Sequence, residues 1–290
     1  MALACDAVER VLGLLPEVRA RVKSIVGKLG APRELVPCLE AYVLNGLVLR
    51  LASRARRGGR VDLGELSSRV EKALRDRARL ERLVKVCEFY LHLLSESAHV
   101  VIDVGCGAGL NVLIARRYGC VGALLVGIDR DPYFLGIFKR LCEDAEAVLA
   151  DAGRLPLRSG SADVLFSTTL IHELPGLGAI GEFYRVLGEG GSALIGDVVA
   201  RYVPSALLNA VRAVRVRLGM EPETPYTLRQ IVSEITSLGT QVDGCLTFWN
   251  GPIGVAVLTF RKSRTTKHSR GASLEGEGRA LLRPSPGGGR

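Results

Sequence analysis

The stretch VVIDVGCGAGLNVL, residues 100–113, carries the strongest structural signal in the chain. Its first five residues are rich in β-branched side chains and predict a strand, and an apolar run typical of a helix follows the last glycine. Between them Gly105, Gly107 and Gly109 lack a Cβ, so the backbone can adopt a positive φ and a ligand can lie against bare peptide groups. The stretch predicts a strand, a tight turn and a helix. The alternative is a plain glycine-rich turn that binds no ligand. Residues further along the chain help to choose between the two.

Length and composition limit the class of protein. The chain has 290 residues, enough for one sizeable core and a second, smaller one. Hydrophobic residues make up 48% of it, yet no uninterrupted apolar run approaches the roughly 20 residues needed to cross a bilayer. The N-terminus MALACDAVER has an acid at its sixth position and no basic region, unlike a secretory signal. We therefore expect a cytoplasmic protein with no membrane span.

Cysteine usage argues against a metal site. The seven cysteines occur singly, with no CxxC motif and no Cys/His cluster, and we predict no structural zinc. Most are interpreted as small buried apolar residues in a reducing compartment. Asn, Gln and Met are scarce and Arg is abundant, which resembles the composition of heat-adapted proteins. Because such proteins can form disulfides inside the cell, disulfide bonds are the alternative to reduced cysteines here.

The net charge of +9 is unevenly distributed. Residues 1–97 carry +6, residues 98–260 carry −3 and residues 261–290 carry +6. Any affinity for nucleic acid therefore belongs to the two ends of the chain. The last segment, 262–290, is basic and rich in Gly, Pro and Ser, and we predict a disordered tail.

Residues 1–97 show helical patterns only. Pro16 stops or restarts a helix, a third helix is predicted over 33–56, and a fourth begins at Asp62, which has capping-box spacing to Glu65. The charged segment 71–85 alternates acids with bases and favours a solvated helix face over a nucleic-acid-binding helix. We interpret residues 1–97 as a helical cap or substrate-recognition region. A homodimer through these helices stays open.

From residue 98 strands alternate with helices, the pattern of a parallel sheet covered on both faces. The second strand ends in Asp129, 20 residues after Gly109, and the third ends in Asp151. The carboxyl ends of adjacent parallel strands lie side by side, so these acids and the glycine turn are expected to border one crevice. A carboxylate there can accept both hydroxyls of a ribose, although Asp129 could instead cap the helix after Pro132, as could Asp131.

The last two strands of this region are predicted to be antiparallel, unlike the strands before them. A fourth strand is expected over 163–167 and a fifth over 193–195, preceded by a turn at 187–191. The last two strands, 241–249 and 253–260, are separated only by Asn250, Gly251 and Pro252. They must therefore form an antiparallel hairpin.

In this order the motifs IDVGCGAG, GID, ADA, ADVLFS and YRVLGEGG, followed by the hairpin, resemble the class I S-adenosylmethionine-dependent methyltransferases. The resemblance covers about residues 100–260, within a cofactor-binding domain predicted over 98–261. It implies an α/β, doubly wound, mostly parallel seven-stranded sheet with a terminal antiparallel hairpin. It implies S-adenosyl-L-methionine as the cofactor. The positions that it assigns to cofactor binding are Asp103, Gly105, Gly107, Gly109, Asp129, Asp151, Ala152, Ser167 and Thr168.

Methyl transfer from a sulfonium is an in-line displacement on an activated donor and needs no universal catalytic side chain. His172 follows the fourth strand and is the candidate general base, with a structural role as the alternative. Glu173 and Asp197 are weaker candidates at the same edge. The acceptor pocket is therefore harder to identify in the sequence than the cofactor site.

The acceptor class is narrowed by two absences from the sequence. The position that holds an NPPY-like tetrapeptide in enzymes acting on nucleobase amines or glutamine amides is STTL here. Enzymes that methylate cytosine at C5 need a cysteine nucleophile near the active site, and no cysteine directly follows the fourth strand. We expect a small-molecule acceptor, with RNA or protein as alternatives. Two other functions stay open: an NAD(P)-dependent oxidoreductase, which also uses a glycine turn and a distant acid, and a non-enzymatic RNA-binding protein with a relic cofactor fold.

Overall fold

The computed structural model describes residues 15–57, 68, 71–72, 74–94, 98–118, 120, 122–220 and 223–263. The predicted capping box at Asp62 and the predicted tail from residue 264 onward lie outside these residues. The helices are α1 Leu15–Lys28, α2 Val36–Arg56, α3 Arg77–Leu93, α4 Leu110–Arg117, α5 Pro132–Leu141, α6 Ala179–Val186, α7 Ser205–Arg217 and α8 Leu228–Ser237. The strands are β1 Val100–Val104, β2 Leu124–Asp129, β3 Glu146–Leu149, β4 Ala162–Thr168, β5 Leu187–Ala200, β6 Tyr226–Thr227, β7 Val242–Asn250 and β8 Ile253–Arg261.

One sheet organises the chain, with strand order β3-β2-β1-β4-β5-β8-β7. Strands β1 to β5 are parallel, and β8 runs antiparallel to both β5 and β7. The predicted doubly wound sheet with a terminal antiparallel hairpin is confirmed. The two-residue strand β6, which pairs with the end of β5, adds an eighth strand that the prediction lacks.

Strand β5 is much longer than predicted. The sequence indicates a turn at 187–191 and a strand of three residues, whereas the strand extends over Leu187–Ala200. Its last nine residues, from Ser192, pair with β8, and this pairing satisfies backbone groups that a short strand would leave open. The glycines at 188, 190 and 191 enter the strand where the β4–β5 register shifts between Ala162 and Val164.

The N-terminal helices share a hydrophobic core with one face of the sheet. Leu39 of α2 and Tyr90 of α3 are fully buried in the same cluster as Val112 of α4 and Phe138 of α5. A second cluster on the other face contains residues of α6 and α8. The predicted boundary between 97 and 98 stays a prediction, and packing across it is continuous.

By length and composition, the stretch Arg33–Arg54 is apolar enough to cross a membrane, and within the described residues it alone meets this test. Of the window that meets it, 69% is buried inside the protein. Leu35, Leu39 and Val48 of this stretch are each at most 3% exposed. The apolar character of α2 is that of a core helix.

A disulfide between Cys38 and Cys87 joins α2 to α3. The sequence interpretation favoured buried thiols for most cysteines and did not pair these two. The buried thiols Cys106 and Cys142 agree with that interpretation, and Cys245 is exposed. A spacing of 49 residues contains no local signal for a disulfide, because the pairing depends on how the two helices pack.

The charged segment that begins at Glu71 forms a solvated helix face. Arg75 pairs with Glu71 and Arg77 with Glu81, each at 2.9 Å. Asp76 interrupts the segment, since its side chain accepts a hydrogen bond from the backbone of Arg79 and begins α3. Ion pairs within the segment account for its alternating charges.

Candidate functional site

The glycine turn connects β1 to α4 and contacts β2. The N–H groups of Gly105 and Cys106 both donate to the carbonyl oxygen of Ile128, at 2.8 and 3.0 Å. Gly109 has a φ of 91°, and a Cβ there would lie 2.8 Å from the ring of Phe138 and 2.9 Å from Cys142 Sγ. Glycine is required at this position by both its conformation and the close packing of α5.

Asp129 and Asp131 have different roles at the end of β2. The Asp131 side chain accepts from the N–H of Tyr133 at 3.0 Å and caps α5. The two carboxylate oxygens of Asp129 accept from Gly107 N–H at 2.8 Å and from Asp131 N–H at 2.9 Å. The cap is therefore supplied by Asp131, and Asp129 holds the glycine turn and the start of the α5 loop around its carboxylate.

A cavity of about 350 Å³ lies at the carboxyl ends of β1, β2, β3 and β4. Asp151, which directly follows Ala150 at the end of the β3 segment, accepts from Gly153 N–H at 2.7 Å. Six of the residues assigned from the sequence line the cavity. They are Gly105, Gly107, Asp129, Asp151, Ala152 and Thr168.

Three other assigned positions do not line this cavity. Asp103 and Ser167 are fully buried beneath it, and Gly109 packs against α5. Asp103 accepts a hydrogen bond from Asn111 Nδ2 at 2.7 Å, and its other oxygen, Oδ2, is buried with no partner. Burial raises the pKa of Asp103 to about 7, against the lowering effect of Asn111.

A buried chain of hydrogen bonds connects the N-terminal helices to the cavity. Tyr42 of α2 donates to Tyr90 of α3 at 3.4 Å, and Tyr90 donates to Asn111 Oδ1 at 2.5 Å. Asn111 Nδ2 then donates to Asp103 and, at 3.2 Å, to Thr168 Oγ1 at the cavity wall. Burial raises the pKa of Tyr42 to about 12, so these hydroxyls stay protonated donors.

His172 is paired with Asp197 and lies outside the residues that line the cavity. Its Nδ1 is 2.7 Å from Asp197 Oδ1, and Asp197 also accepts from the backbone N–H groups of Ile171 and Val198. Burial lowers the pKa of His172, but the hydrogen bond and charge of Asp197, together with the charges of Glu173 and Glu223, more than offset this, so the net pKa is raised. The next residue, Glu173, does line the cavity, and burial raises the pKa of its carboxyl group.

The sequence interpretation missed the part of the wall supplied by α2. Asn45, Leu49 and Ser53 line the cavity and recur every four residues, which places them on one face of the helix. The available signal was a pair of small polar residues, Asn45 and Ser53, eight residues apart in an apolar helix. They bring the N-terminal region to the glycine turn, since a Cβ on Gly107 would be 3.5 Å from Leu49.

Thr169 was also missed. This residue lines the cavity directly after β4 and has a φ of 54°, a left-handed conformation that is costly for a β-branched side chain. Its N–H donates to the carbonyl oxygen of Gly196 at 2.7 Å, which holds the strained backbone in place. Backbone strain of this kind concentrates at functional sites and carries no signal in the sequence.

The cavity wall is acidic. It contains four carboxylates, those of Asp129, Asp131, Asp151 and Glu173, and one guanidinium, that of Arg130. Within the described residues, no group of three or more His, Cys, Asp or Glu side chains is arranged to hold a metal ion. The wall therefore favours a ligand with hydroxyl or amine donors or with a positive charge over a polyanion.

Comparison with known families matches residues 102–195 to the family model described as "Methyltransferase domain". The match covers about a third of the chain. The matched segment, named the methyltransferase domain after that model, contains the glycine turn, Asp129, Asp151 and the end of β4, and the neighbouring residues complete the sheet.

Curated relatives of the methyltransferase domain cover only part of the chain. An arsenite methyltransferase of Halobacterium salinarum is 30% identical over 105 residues, which are 34% of this chain and 27% of that protein. A tRNA (carboxymethyluridine(34)-5-O)-methyltransferase of Macaca fascicularis is 32% identical over 103 residues, 34% of this chain and 14% of that protein. The chain thus matches about a quarter or less of the length of these relatives.

Solved structures show the same fold at low identity. The geranyl diphosphate C-methyltransferase of Streptomyces coelicolor A3(2), solved with S-adenosyl-L-homocysteine, aligns with a TM-score of 0.51 and 13% identity. The alignment covers 64% of this chain and 78% of that chain. At this identity the likeness shows the fold of the methyltransferase domain.

Proposed function

We propose that the protein is an S-adenosyl-L-methionine-dependent methyltransferase that acts on a small-molecule acceptor. The observation that supports this most is the convergence of Gly105, Asp129 and Asp151 on one cavity at the carboxyl ends of three adjacent parallel strands. A nucleoside that lies across these ends meets a bare backbone turn first and two carboxylates beyond it.

The charge of the cavity supports this cofactor over a dinucleotide. A dinucleotide brings two negative phosphates to a wall that has the guanidinium of Arg130 and four carboxylates, of which Asp131 is paired with Arg56. S-adenosylmethionine, when bound, supplies a methyl group on a positively charged sulfur, which makes it an activated donor. The acidic wall attracts that positive charge.

The residues of the chain divide the work of binding and orientation. The carboxylate oxygens of Asp129 each hold one backbone N–H and keep a lone pair for a ribose hydroxyl. Asp151 accepts from the adenine amino group, with Ala152 beside it. Gly105 and Gly107 present peptide groups to the methionine part, and Thr168, held by Asn111, lines the floor.

Apolar side chains form part of the cavity wall. Leu49 of α2, Phe134 of α5 and Leu170 after β4 supply apolar walls on the open side of the strand ends. In-line transfer depends mainly on placement of the acceptor in a dry site, and these side chains contribute to both. His172, which lies outside the cavity lining, is proposed to position the 169–174 segment, with Asp197 fixing its Nδ1.

The size of the cavity supports a small acceptor. A volume of about 350 Å³ is within the range of small-molecule sites. The curated relatives named above act on arsenite and on a tRNA nucleoside, so the family alone does not select the acceptor. A homodimer through the N-terminal helices stays a prediction.

Calorimetric titration with S-adenosylhomocysteine and, separately, with NADH tests the cofactor. The wild type is expected to bind S-adenosylhomocysteine, and Asp129→Ala is expected to weaken that binding about ten- to a hundredfold, the loss of hydrogen bonds to a charged acceptor. Glu146→Gln is the matched control, because it removes an exposed carboxylate at the opposite edge of the sheet. Binding of NADH alone, or equal affinities for wild type and Asp129→Ala, contradicts the assignment.

The acceptor is tested separately with labelled methyl donor and fractionated cell extract. Label in low-molecular-weight metabolites supports the small-molecule assignment. Label in RNA or protein contradicts that part and leaves the cofactor assignment standing, because the titration above reads cofactor binding without turnover.

A further inference from the structure

Helix α7 presents an apolar stripe to solvent. Leu207, Val211, Val214 and Leu218 are 44–68% exposed and are spaced by four, three and four residues. At 100° per residue they fall within about 60° of one another around the helix axis. A helix that packs only on its own protein normally points such a stripe inward.

One side of α7, next to the stripe, anchors the helix to the protein. Leu208 and Arg212 are at most 8% exposed, and the Arg212 guanidinium donates to the carbonyl oxygen of Thr224 and lies over the ring of Tyr226. Thr224 N–H in turn donates to the carbonyl oxygen of His172 at 2.9 Å. The exposed stripe is therefore the outer face of a fixed helix, attached to the segment that borders the cavity.

Positive charge flanks the stripe. Residues 201–220 contain four arginines and no acidic residue, in a central region whose net charge is negative. On the helical wheel Arg217 lies about 80° to one side of the stripe and Arg215 about 80° to the other. Arg215 also pairs with Glu223, whereas Arg217 is exposed.

The loop before α7 extends the same surface. Tyr202 is 80% exposed and has a φ of 64°, and the Arg201 guanidinium lies 4.3 Å from the centre of its ring. This loop follows the end of β5, beyond the residue that pairs with Thr168 at the cavity floor. The α7 surface, defined as Arg201, Tyr202 and the exposed side chains of 205–220, thus lies at the same edge of the sheet as the cavity.

We propose that the α7 surface binds the face of an anionic lipid bilayer. An apolar stripe with an arginine on each side is the pattern of a helix that lies in the plane of a membrane interface, where the stripe enters the acyl boundary and the guanidinium groups meet lipid phosphates. An exposed tyrosine at the rim suits the same interface. The binding is peripheral and involves no spanning segment.

Charge and polarity disfavour the other occupants. A second copy docked through the same helix would place arginine flanks against arginine flanks, with no acid in 201–220 to compensate. Nucleic acid would satisfy the arginines and leave the four apolar side chains against phosphates. An anionic bilayer satisfies both features at once.

Vesicle flotation with the full-length chain tests the proposal. The wild type is expected to float with vesicles of phosphatidylcholine containing about 30% phosphatidylglycerol, and much less with phosphatidylcholine alone. The triple variant Leu207→Gln, Val214→Gln, Leu218→Gln is expected to lower the partition coefficient at least about tenfold, because three apolar side chains leave the acyl boundary. Arg217→Gln is expected to lower it about fivefold at low salt.

The control is Leu124→Gln. Leu124 is 50% exposed at the amino end of β2, the edge opposite the α7 surface, and its replacement is expected to leave flotation unchanged. The three residues replaced in the triple variant are each more than half exposed. Unchanged circular dichroism and thermal unfolding are therefore expected for the triple variant and for Leu124→Gln.

Three results overturn the proposal. The first is no flotation of the wild type with the anionic vesicles. The second is flotation that the triple variant leaves unchanged, which assigns binding to another basic segment. The third is a wild-type dimer in light scattering that the triple variant dissociates, which assigns the α7 surface to a second copy. None of these readouts depends on methyl transfer, so their failure and that of the proposed function are distinguishable.

Discussion

The Asp103→Asn substitution is expected to remove a pH dependence from the unfolding of this protein. Burial raises the pKa of the native Asp103 to about 7 from an ordinary value of 3.8. Between these two values the native state binds a proton that the unfolded state has released. The free energy of unfolding therefore falls as the pH rises through this window. The stabilisation from the proton on Asp103 is fully present below the unfolded-state pKa and is lost above the native-state pKa.

The magnitude follows from the width of the window. About three pH units at about 1.4 kcal/mol each correspond to ~4 kcal/mol of stability that the wild type loses on going from about pH 4 to about pH 8. Asparagine keeps an oxygen for the hydrogen bond from Asn111 and does not titrate. The variant is thus expected to gain stability relative to the wild type by the same ~4 kcal/mol across this range.

Denaturant unfolding at four or five pH values measures the difference between variant and wild type directly. Ser167→Ala is the control, because Ser167 is a fully buried polar residue on the neighbouring strand whose hydroxyl does not titrate. Its effect on the free energy of unfolding is expected to be the same at every pH. A constant difference between Asp103→Asn and wild type would refute the reasoning, and so would a matching pH dependence in Ser167→Ala.

Two further predictions concern the helical layer and the His172 pair. The double variant Cys38→Ser, Cys87→Ser is expected to have a free energy of unfolding ~4 kcal/mol lower than the wild type, because the disulfide closes a loop of 49 residues. Thermal unfolding with and without reductant measures this loss. A double variant whose unfolding still responds to reductant would contradict the disulfide assignment. Asp197→Asn is expected to lower the pKa of His172, since the carboxylate raises it. An NMR titration of the imidazole proton reports this, and an unchanged or raised value would show that Asp197 is not the cause.

Most of the sheet could be predicted from the sequence because its signals are local. Val100 and its neighbours form a buried central strand, and the three glycines that follow it occupy positive φ angles. The acid that ends β2 lines the cavity, as the adjacency of parallel strand ends requires. Such features need only the residues themselves and the hand of the crossover connection.

The rest depended on packing between distant segments. Asn45 and Leu49 reach the glycine turn only because α2 folds over it, and the partner of Cys38 is 49 residues away. The strained Thr169 is held by a backbone hydrogen bond from a neighbouring strand. Asp103 was assigned to the site by its place in the motif, yet burial beneath the turn makes it a supporting residue.

The hydrogen bonds from Tyr42 through Tyr90 to Asn111 limit how this chain can be divided for engineering. If the sheet were produced without the helices before it, Asn111 Oδ1 would lose its donor, and the apolar face that includes Phe166 would be bared, since Tyr90 stacks on that ring at 5.1 Å. A chimera that joins a foreign amino-terminal region to this sheet would need a tyrosine whose hydroxyl occupies the position of the Tyr90 hydroxyl. Replacement of acceptor-recognition modules by simple fusion, which works where modules are separately folded, is therefore expected to yield insoluble protein here.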